Sequence, residues 1–207
     1  MKKYKTEQED FWAGNFGDKY ILRNEGAKLL AANLNFFSKA LRNTSQINSC
    51  IEFGTNIGMN LKALQLLYPR IQIQGVEINK AAAERLQKNI PNAEVHNVSI
   101  LDFEPNLKSD LVLIKGVLIH INPEKLQQVY QKLSVACGRY LVVAEYYNPS
   151  PVTVPYRGHQ NRLFKRDFAG EILDQDSSFS LIDYGFIYHL DPNFPQDDIT
   201  WFLLEKK

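Results

Sequence analysis

The sequence predicts a doubly wound α/β fold in which a mostly parallel, seven-stranded sheet carries helices on both faces. Three observations support this fold class. From Ser49 onward, short runs rich in β-branched residues alternate with segments whose apolar residues recur at helical spacing, as in a parallel sheet with right-handed crossovers. Residues 140–145 are nearly all apolar, as expected for a strand buried on both faces. The 207 residues, 44% of them hydrophobic, suit a single compact domain.

The individual elements are predicted from this alternation and from the residues that interrupt it. Pro69 and Pro91 each end a helix, and two terminal strands, the last of them antiparallel, follow a long connection. Residues 1–25 are aromatic-rich and irregular, and we interpret them as an N-terminal cap on a core of residues 26–207. The predicted helices are 26–41, 60–68, 80–89, 123–133 and 163–173, and the predicted strands are 50–53, 71–78, 93–97, 110–115, 140–145, 180–189 and 199–205.

The composition limits the classes of partner. The chain has 24 basic and 23 acidic residues, so no overall field favours nucleic acid or a membrane surface. The start of the chain has no apolar stretch as long as a signal peptide or a membrane span, and we therefore expect a cytoplasmic protein. Cys50 and Cys137 are expected to be reduced packing residues. Four scattered histidines without a cysteine pair predict no bound metal, and no feature indicates an oligomeric state.

The most informative segment is the turn between the first predicted strand and the following helix, Glu52-Phe53-Gly54-Thr55-Asn56-Ile57-Gly58. Glycines in such a turn let the backbone approach a ligand at the carboxyl edge of the sheet. A nicotinamide dinucleotide fingerprint would need glycines at Asn56 and Met59, and a P-loop would need a lysine at Asn60. Asn56 suits the turn because asparagine adopts the left-handed conformation at modest cost.

Four landmarks in chain order make the core resemble the class I, Rossmann-like methyltransferases that use S-adenosyl-L-methionine (SAM). They are the turn at 52–58, Glu77 at the end of the second predicted strand, residues 99–103 after the third, and residues 110–121 around the fourth. A carboxylate such as Glu77 at a strand end can accept hydrogen bonds from both ribose hydroxyls of a nucleoside.

This resemblance implies SAM as the cofactor and S-adenosyl-L-homocysteine (SAH) as its product. It assigns the ribose to Glu77, the adenine amino group to Asp102, and the methionine moiety to the loop after the fourth strand. Trp12 and Tyr20 of the cap are expected to close over the cofactor as a lid or, alternatively, to pack the first helix on the sheet. The candidate cofactor-binding residues are Trp12, Tyr20, Glu52, Gly54, Thr55, Asn56, Gly58, Glu77, Ile78, Ser99, Ile100, Asp102, Lys115, Gly116 and Val117.

An acceptor pocket is predicted between the cap and the connection of residues 146–168, because connections of this length are usually functional. His159 is the favoured catalytic base. His120 is a second candidate, for which a hydrogen-bonded position at the cofactor rim is the favoured interpretation. Arg157 and Arg162 can each hold an acidic group of the substrate bidentately. For either residue, a role as a surface charge or in a loop-stabilising hydrogen bond is an equally good interpretation. The candidate substrate-binding residues are Tyr146, Tyr156, Arg157 and Arg162.

The cap segment 11–24 and the connection 146–168 together are similar to the pseudaminic acid biosynthesis-associated methylases. That resemblance implies a small, acidic, sugar-type acceptor from nonulosonic acid synthesis or a surface glycan. Two other functions stay open: methyl transfer to protein or RNA, and a non-catalytic, SAM-binding regulatory role. The basic cluster at 157–166 is short for an RNA-binding surface, so a small-molecule acceptor is favoured.

Overall fold

The computed structural model describes residues 4–207, so the first three residues of the predicted cap lie outside the described residues. None of its helices combines the length and the apolar character that a membrane span needs. Short 3-10 helices cover Ile21–Arg23, Leu118–His120 and Pro123–Lys125. The α-helices are α1 (Glu7–Ala13), α2 (Asn15–Tyr20), α3 (Ala27–Ala40), α4 (Met59–Leu67), α5 (Lys80–Asn89), α6 (Leu126–Ala136) and α7 (Phe168–Gln175). The strands are β1 (Ser49–Phe53), β2 (Gln72–Val76), β3 (Glu94–His96), β4 (Ser109–Lys115), β5 (Cys137–Glu145), β6 (Val152–Tyr156), β7 (His159–Lys165), β8 (Phe179–Ile187) and β9 (Ile199–Lys206).

Seven strands form one sheet in the order β3-β2-β1-β4-β5-β9-β8. Strands β1 to β5 pair in parallel, and β9 runs antiparallel to both β5 and β8. This arrangement confirms the predicted fold class, including the antiparallel C-terminal strand. Phe53 is level with Val76 on one side and with Ile114 on the other. The loops after β1, β2 and β4 therefore meet at one edge of the sheet, where ligands bind in open α/β folds.

Apolar side chains cover both faces of the sheet. Along β4, Leu111 and Leu113 pack in the cluster that contains α3 and α4, whereas Val112 and Ile114 pack in the cluster that contains α6 and α7. A strand that is buried on both faces carries a continuous apolar run, which explains the pattern in the sequence. Cysteines 50 and 137 are buried free thiols within these two clusters, in agreement with their prediction as packing residues.

The prediction of a helix over 163–173 is wrong at its start, and the connection 146–168 is not an open loop. Strands β6 and β7 pair as an antiparallel hairpin. Arg157 and Gly158 join them with φ angles of 50° and 83°, as in a two-residue type I′ turn. Helix α7 begins only at Phe168, where the Asp167 side chain accepts a hydrogen bond from the Gly170 amide (2.8 Å). The apolar residues at the end of β7 and in α7 follow one another closely in the sequence, and together they have the spacing of a single helix. This spacing explains the wrong prediction.

The cap is helical rather than irregular. Thr6 and Glu9 form a capping box at the start of α1: the Glu9 amide donates to Thr6 Oγ1 (3.2 Å), and the Thr6 amide donates to Glu9 Oε2 (2.8 Å). Asn79 fixes the cap on the core, because its Nδ2 donates to Asp18 Oδ1 (2.8 Å) and to the Trp12 carbonyl (3.3 Å). The cap therefore packs directly against the carboxyl edge of the sheet.

Candidate functional site

A cavity opens at the carboxyl edge of the sheet, between the ends of the parallel strands and the cap. The core contributes residues 54–57 after β1, residues 76–79 around the end of β2, and residues 115–117 at the end of β4. The cap contributes Trp12 and Tyr20. Most of the predicted cofactor residues thus lie around one cavity. Glu52, Gly58 and Asp102 are not part of its lining.

The turn after β1 holds its backbone close to a neighbouring loop. Gly54 has a φ angle of 80°, and a Cβ atom there would lie 2.4 Å from Val117 Cγ2, so a side chain at this position would collide with the loop. Asn56 takes the left-handed conformation with a φ angle of 49°. Its Oδ1 accepts a hydrogen bond from the Ile57 amide (2.8 Å). The turn therefore accommodates asparagine at a position whose left-handed backbone favours glycine.

Glu77 presents a buried carboxylate to the cavity directly after β2. Its side chain is 8% exposed. Oε2 accepts a hydrogen bond from the Asn56 amide (2.7 Å), and Oε1 accepts one from the Asn79 amide (2.8 Å). Burial raises the pKa of Glu77, and these backbone hydrogen bonds oppose the rise. Since each carboxylate oxygen has two lone pairs, Glu77 can still accept two hydroxyl hydrogen bonds from a ligand.

Glu52 and Gly58 lie on the side of the turn after β1 that faces away from the cavity, and they stabilise the turn. Glu52 is fully buried, and its Oε1 accepts a hydrogen bond from Nδ2 of Asn60 (2.6 Å), which lines the cavity. Burial raises the pKa of Glu52 to about 8 against the Asn60 hydrogen bond and the positive charge of Lys115. Gly58 has a φ angle of 82°, and a Cβ atom there would lie 2.3 Å from Leu86 Cδ1. Both residues shape the turn without facing the cavity.

A buried glutamate that sequence reasoning missed fixes the loop after β4. Oε1 of Glu145 accepts hydrogen bonds from the Val117 and Leu118 amides, both at 2.9 Å. Burial raises the pKa of Glu145 to about 7, against these hydrogen bonds. In the same loop, burial lowers the pKa of Lys115, and the charge of Glu52 opposes that change. The only sequence signal for Glu145 was an acidic residue at the end of an otherwise apolar strand.

The predicted adenine end is formed by Ser99 and Ile100, which line the cavity after β3. Asp102, predicted to contact the adenine amino group, instead forms an ion pair with Lys5 and is 46% exposed. Glu9, which sequence reasoning missed, reaches this end from the cap, where its Oε1 accepts a hydrogen bond from the Ser99 hydroxyl. The capping motif Thr6-x-x-Glu9 was the signal that could have placed Glu9 on an ordered helix.

His120 lines the cavity and is 8% exposed. Its Nδ1 lies 2.5 Å from the Arg162 carbonyl oxygen. Because a carbonyl can only accept, Nδ1 carries the proton and Nε2 keeps a lone pair. Burial lowers the pKa of His120 to about 4, so the ring is neutral at physiological pH. The rings of Trp12 and Tyr156 lie 4.5 and 4.9 Å from it.

His159 and the two predicted arginines lie beside the cavity rather than in its lining. His159 is exposed, and its ring meets the Phe11 ring edge-on at 4.9 Å. Arg162 Nη1 lies 2.8 Å from Oε1 of Glu7 on α1. Arg157 is exposed in the hairpin turn. The structure therefore brings the hairpin to the cap without directing these three side chains into the cavity.

Tyr146 and Tyr156 of the predicted acceptor region do not line the cavity, but each contacts a residue that does. The Tyr156 side chain hydrogen-bonds with Tyr20, and the Tyr146 side chain hydrogen-bonds with Asp197. Tyr20 and Asp197 both line the cavity. Burial raises the pKa of Tyr20 to about 12. Asp197 lies in the connection between β8 and β9, and sequence reasoning gave it no role because that connection has no recognisable motif.

The lining also contains buried polar atoms that lack a hydrogen-bond partner in the described structure. They are Nε1 of Trp12, Oε1 of Gln8 and Oδ1 of Asn33. Gln8 and Asn33 are 4% and 1% exposed. Buried polar groups are rarely left unpaired, because each one costs free energy. Polar groups of a ligand in the cavity would supply the missing partners.

The charges in the lining favour a cationic ligand. Among the described residues of the lining, Glu9, Glu77 and Asp197 supply three carboxylates and Lys115 supplies one ammonium group, which gives a net charge of −2 when all are ionised. An excess of one sign in a cleft attracts ligands of the other sign. Among residues 4–207, no three His, Cys, Asp or Glu side chains come together as a metal site.

No protein-family model matches the chain. The uncharacterized protein RP028 of Rickettsia prowazekii (strain Madrid E) is 32% identical to it over 92 residues. The match covers 40% of this chain and 37% of that protein. The likeness is therefore confined to less than half of either sequence.

Solved structures of SAM-dependent methyltransferases share the fold. The magnesium protoporphyrin IX methyltransferase of Synechocystis PCC 6803 with bound SAH is 14% identical, with a TM-score of 0.70 over 99% of this chain and 100% of that one. A SAM-dependent methyltransferase of Leishmania major is 12% identical, with a TM-score of 0.73 over 96% and 81%. The 1,6-didemethyltoxoflavin-N1-methyltransferase of Burkholderia thailandensis, with SAH bound, is 11% identical, with a TM-score of 0.70 over 97% and 87%. The chain thus has the class I, Rossmann-like methyltransferase fold.

Proposed function

We propose that this protein transfers a methyl group from SAM to a small acceptor. The observation that carries the proposal is the Glu77 carboxylate, which faces the cavity beside the glycine turn while two backbone amides hold it. A fixed carboxylate at this strand end suits the two hydroxyls of a ribose. Neighbours that share the fold have SAM or SAH bound, which supports the same cofactor here.

The residues that line the cavity fit SAM along its length. Ile100 would pack against the adenine, and Glu77 would accept the ribose hydroxyls. The Lys115 ammonium suits the carboxylate of the methionine moiety, and Oδ1 of Asn33, buried without a partner, suits its ammonium group. The net negative lining suits the positive sulfonium. The ribose, the two charged groups of the methionine moiety and the sulfonium would therefore each face a group of opposite or complementary character.

When bound, SAM would supply a methyl group that its sulfonium already activates. The protein contributes orientation and the exclusion of water, which are effective because the reacting atoms must be held in line. His120 would take the proton that the acceptor loses, since its Nε2 has a lone pair and the ring is neutral at physiological pH, because burial lowers its pKa to about 4. We therefore favour His120 over His159 as the base, because only His120 lines the cavity.

We propose a small, sugar-type acceptor, the class that the sequence resemblance implies. The Trp12 ring suits the apolar face of a sugar, and its Nε1, buried without a partner, can donate to a hydroxyl. For an acidic sugar, Arg162 is the candidate cation. Since Arg162 is paired with Glu7, the acid group of the acceptor would have to replace that carboxylate, as bidentate arginine pairing allows.

The test is incubation of the protein with SAM that carries an isotopically labelled methyl group and with a panel of acceptors. The panel contains nonulosonic acids, their nucleotide-linked precursors, short peptides and RNA, and mass spectrometry measures the gain of one methyl group. We expect the gain on a sugar acid. A gain on peptide or RNA instead would overturn the acceptor class alone. SAM binding without any transfer would favour the regulatory role, and absence of SAH binding in calorimetry would overturn the whole proposal.

A further inference from the structure

The base end of the cavity lacks the acid that the sequence predicted there, because Asp102 turns outward to Lys5. An adenine amino group buried at this end needs a hydrogen-bond acceptor. Among the described residues, the carboxylates in the lining are Glu77, Asp197 and Glu9. Glu77 lies beside the glycine turn and Asp197 lies before β9, whereas Glu9 is joined to Ser99 at the base end. Glu9 is therefore the carboxylate in position to replace Asp102.

The Glu9 side chain is held in one orientation by the cap and by the core. Oε2 accepts hydrogen bonds from the Thr6 amide (2.8 Å) and from Thr6 Oγ1 (3.1 Å). Oε1 accepts a hydrogen bond from the Ser99 hydroxyl, whose oxygen accepts in turn from the Leu101 amide (3.1 Å). Since a carboxylate oxygen has two lone pairs, Oε1 keeps one acceptor position. A fixed, partly unsatisfied acceptor of this kind is suited to recognising a donor group on a ligand.

Within residues 4–207, Glu9 has no cation at ion-pair distance, although the charge of Lys5 attracts it from farther away. The residue is 7% exposed, and Lys5 itself is paired with Asp102. A buried carboxylate costs free energy unless donors satisfy it. An amino group that conjugation with a purine ring makes a good donor would supply that satisfaction.

We infer that Glu9 accepts a hydrogen bond from the 6-amino group of the adenine and so makes the site specific for 6-aminopurines. The inference deepens the proposed function and rests on it. Glu9 also completes the capping box of α1. Recognition of the adenine therefore depends on an ordered cap, and the cap determines which cofactor binds in addition to covering the cavity.

The experiment compares the affinities of SAH and S-inosylhomocysteine by calorimetry. The second ligand has an oxygen in place of the 6-amino group, and that oxygen would face the Glu9 carboxylate. We expect the protein to prefer SAH by about ten- to a hundredfold, the range expected for a charge-assisted hydrogen bond. In Glu9→Gln the preference should fall to within about threefold, because an amide can pair with either substituent.

Three comparisons separate recognition from folding. Glutamine also serves in a capping box, so Glu9→Gln should retain the helix signal of the parent protein. Asp10→Asn, the same change at the neighbouring exposed position of α1, should keep the parental preference. Ser99→Ala removes the hydroxyl that orients Oε1 without removing the charge, and it should lower the preference several-fold.

The outcomes are distinguishable from those of the proposed function. If the parent protein binds SAH but Glu9→Gln and Ser99→Ala both keep the full preference, Glu9 does not read the base and this inference is overturned alone. If the parent protein binds neither ligand, the proposed function and this inference are overturned together. Loss of preference in Asp10→Asn as well would show a general effect of the cap, and it too would overturn the assignment.

Discussion

The Glu77 carboxylate is held by amides from two different turns, those of Asn56 and Asn79. We predict that Glu77→Ala weakens SAH binding by about 2–3 kcal/mol, because the variant loses the charged contacts to the ribose and leaves the amides of Asn56 and Asn79 without their carboxylate partner. Calorimetry measures the affinity. Glu94→Ala is the matched control, since Glu94 lies on the neighbouring strand β3 with its side chain 59% exposed. Unchanged affinity in Glu77→Ala would place the ribose elsewhere.

His120 leads to a prediction about pH. The ring can accept a proton only when it is neutral, and burial lowers its pKa from 6.5 to about 4. The rate of methyl transfer should therefore stay constant as the pH falls through the usual histidine range and drop only near pH 4.

The control for this pH profile is the pair of histidine variants. His120→Gln should lower kcat by about 10²- to 10⁴-fold, the usual contribution of a general base, whereas His159→Gln should leave kcat within a few-fold. A larger effect at His159 would assign the base to the exposed histidine, and a rate that already falls well above pH 4 would contradict the assignment to His120.

At the scale of elements, the capping box of α1 is the most testable feature. Thr6→Ala removes the hydroxyl that accepts a hydrogen bond from the Glu9 amide. The Thr6 backbone amide, which donates to the Glu9 side chain, remains in the variant. A lost N-cap costs about 1 kcal/mol. We predict faster hydrogen exchange in residues 7–13 and weaker SAH binding, with little change in the exchange of the β4 amides.

Ser38→Ala is the comparison for Thr6→Ala. Ser38 is likewise a hydroxyl residue with a local hydrogen bond, since its Oγ donates to the Asn35 carbonyl (2.9 Å), but it lies exposed on α3. Its removal should leave both the exchange of α1 and the affinity for SAH unchanged. Equal effects of the two substitutions would mean that packing, and not the capping box, keeps α1 ordered.

The hairpin shows where element prediction from the sequence failed. Periodicity alone merged Leu163 of β7 with Phe168 of α7 into one helix, although the Arg157-Gly158 pair is compatible with a two-residue turn. The structure separates them because the Gly158 turn pairs β6 with β7 and Asp167 then caps α7. Strand and helix periods cannot be told apart over such short apolar segments.

At the scale of the whole molecule, ligand binding and unfolding are linked. A ligand that binds only the folded state at a hundredfold its Kd stabilises it by about 2.7 kcal/mol. For a domain of this size, that free energy raises Tm by about 5–10 °C. We predict this shift with SAH, measured by calorimetric melting.

The matched ligand for the melting experiment is a nicotinamide dinucleotide, which also contains adenosine. The turn departs from the dinucleotide fingerprint at Asn56 and Met59, so this ligand should shift Tm by less than about 1 °C when used at the same concentration. A larger shift with the dinucleotide than with SAH would contradict the assignment of the cavity.

The sequence by itself determined the fold class, the chain order of the seven strands of the main sheet and of helices α3 to α6, and the place of the turn with Gly54 and Asn56. These features are local: they depend on residue periodicity, glycine and proline positions, and the residue type at a strand end, all of which can be read along the chain.

Only the tertiary structure decided which charged groups share the cavity. In the structure, Asp102 points outward and pairs with Lys5, and Glu9 of the cap forms a hydrogen bond with Ser99. His120 is buried beneath the cap, whereas His159 is exposed. Such differences depend on contacts between residues far apart in the sequence, as between Glu9 and Ser99, which are 90 positions apart. Their free energies arise from burial and from hydrogen bonds that no local pattern encodes.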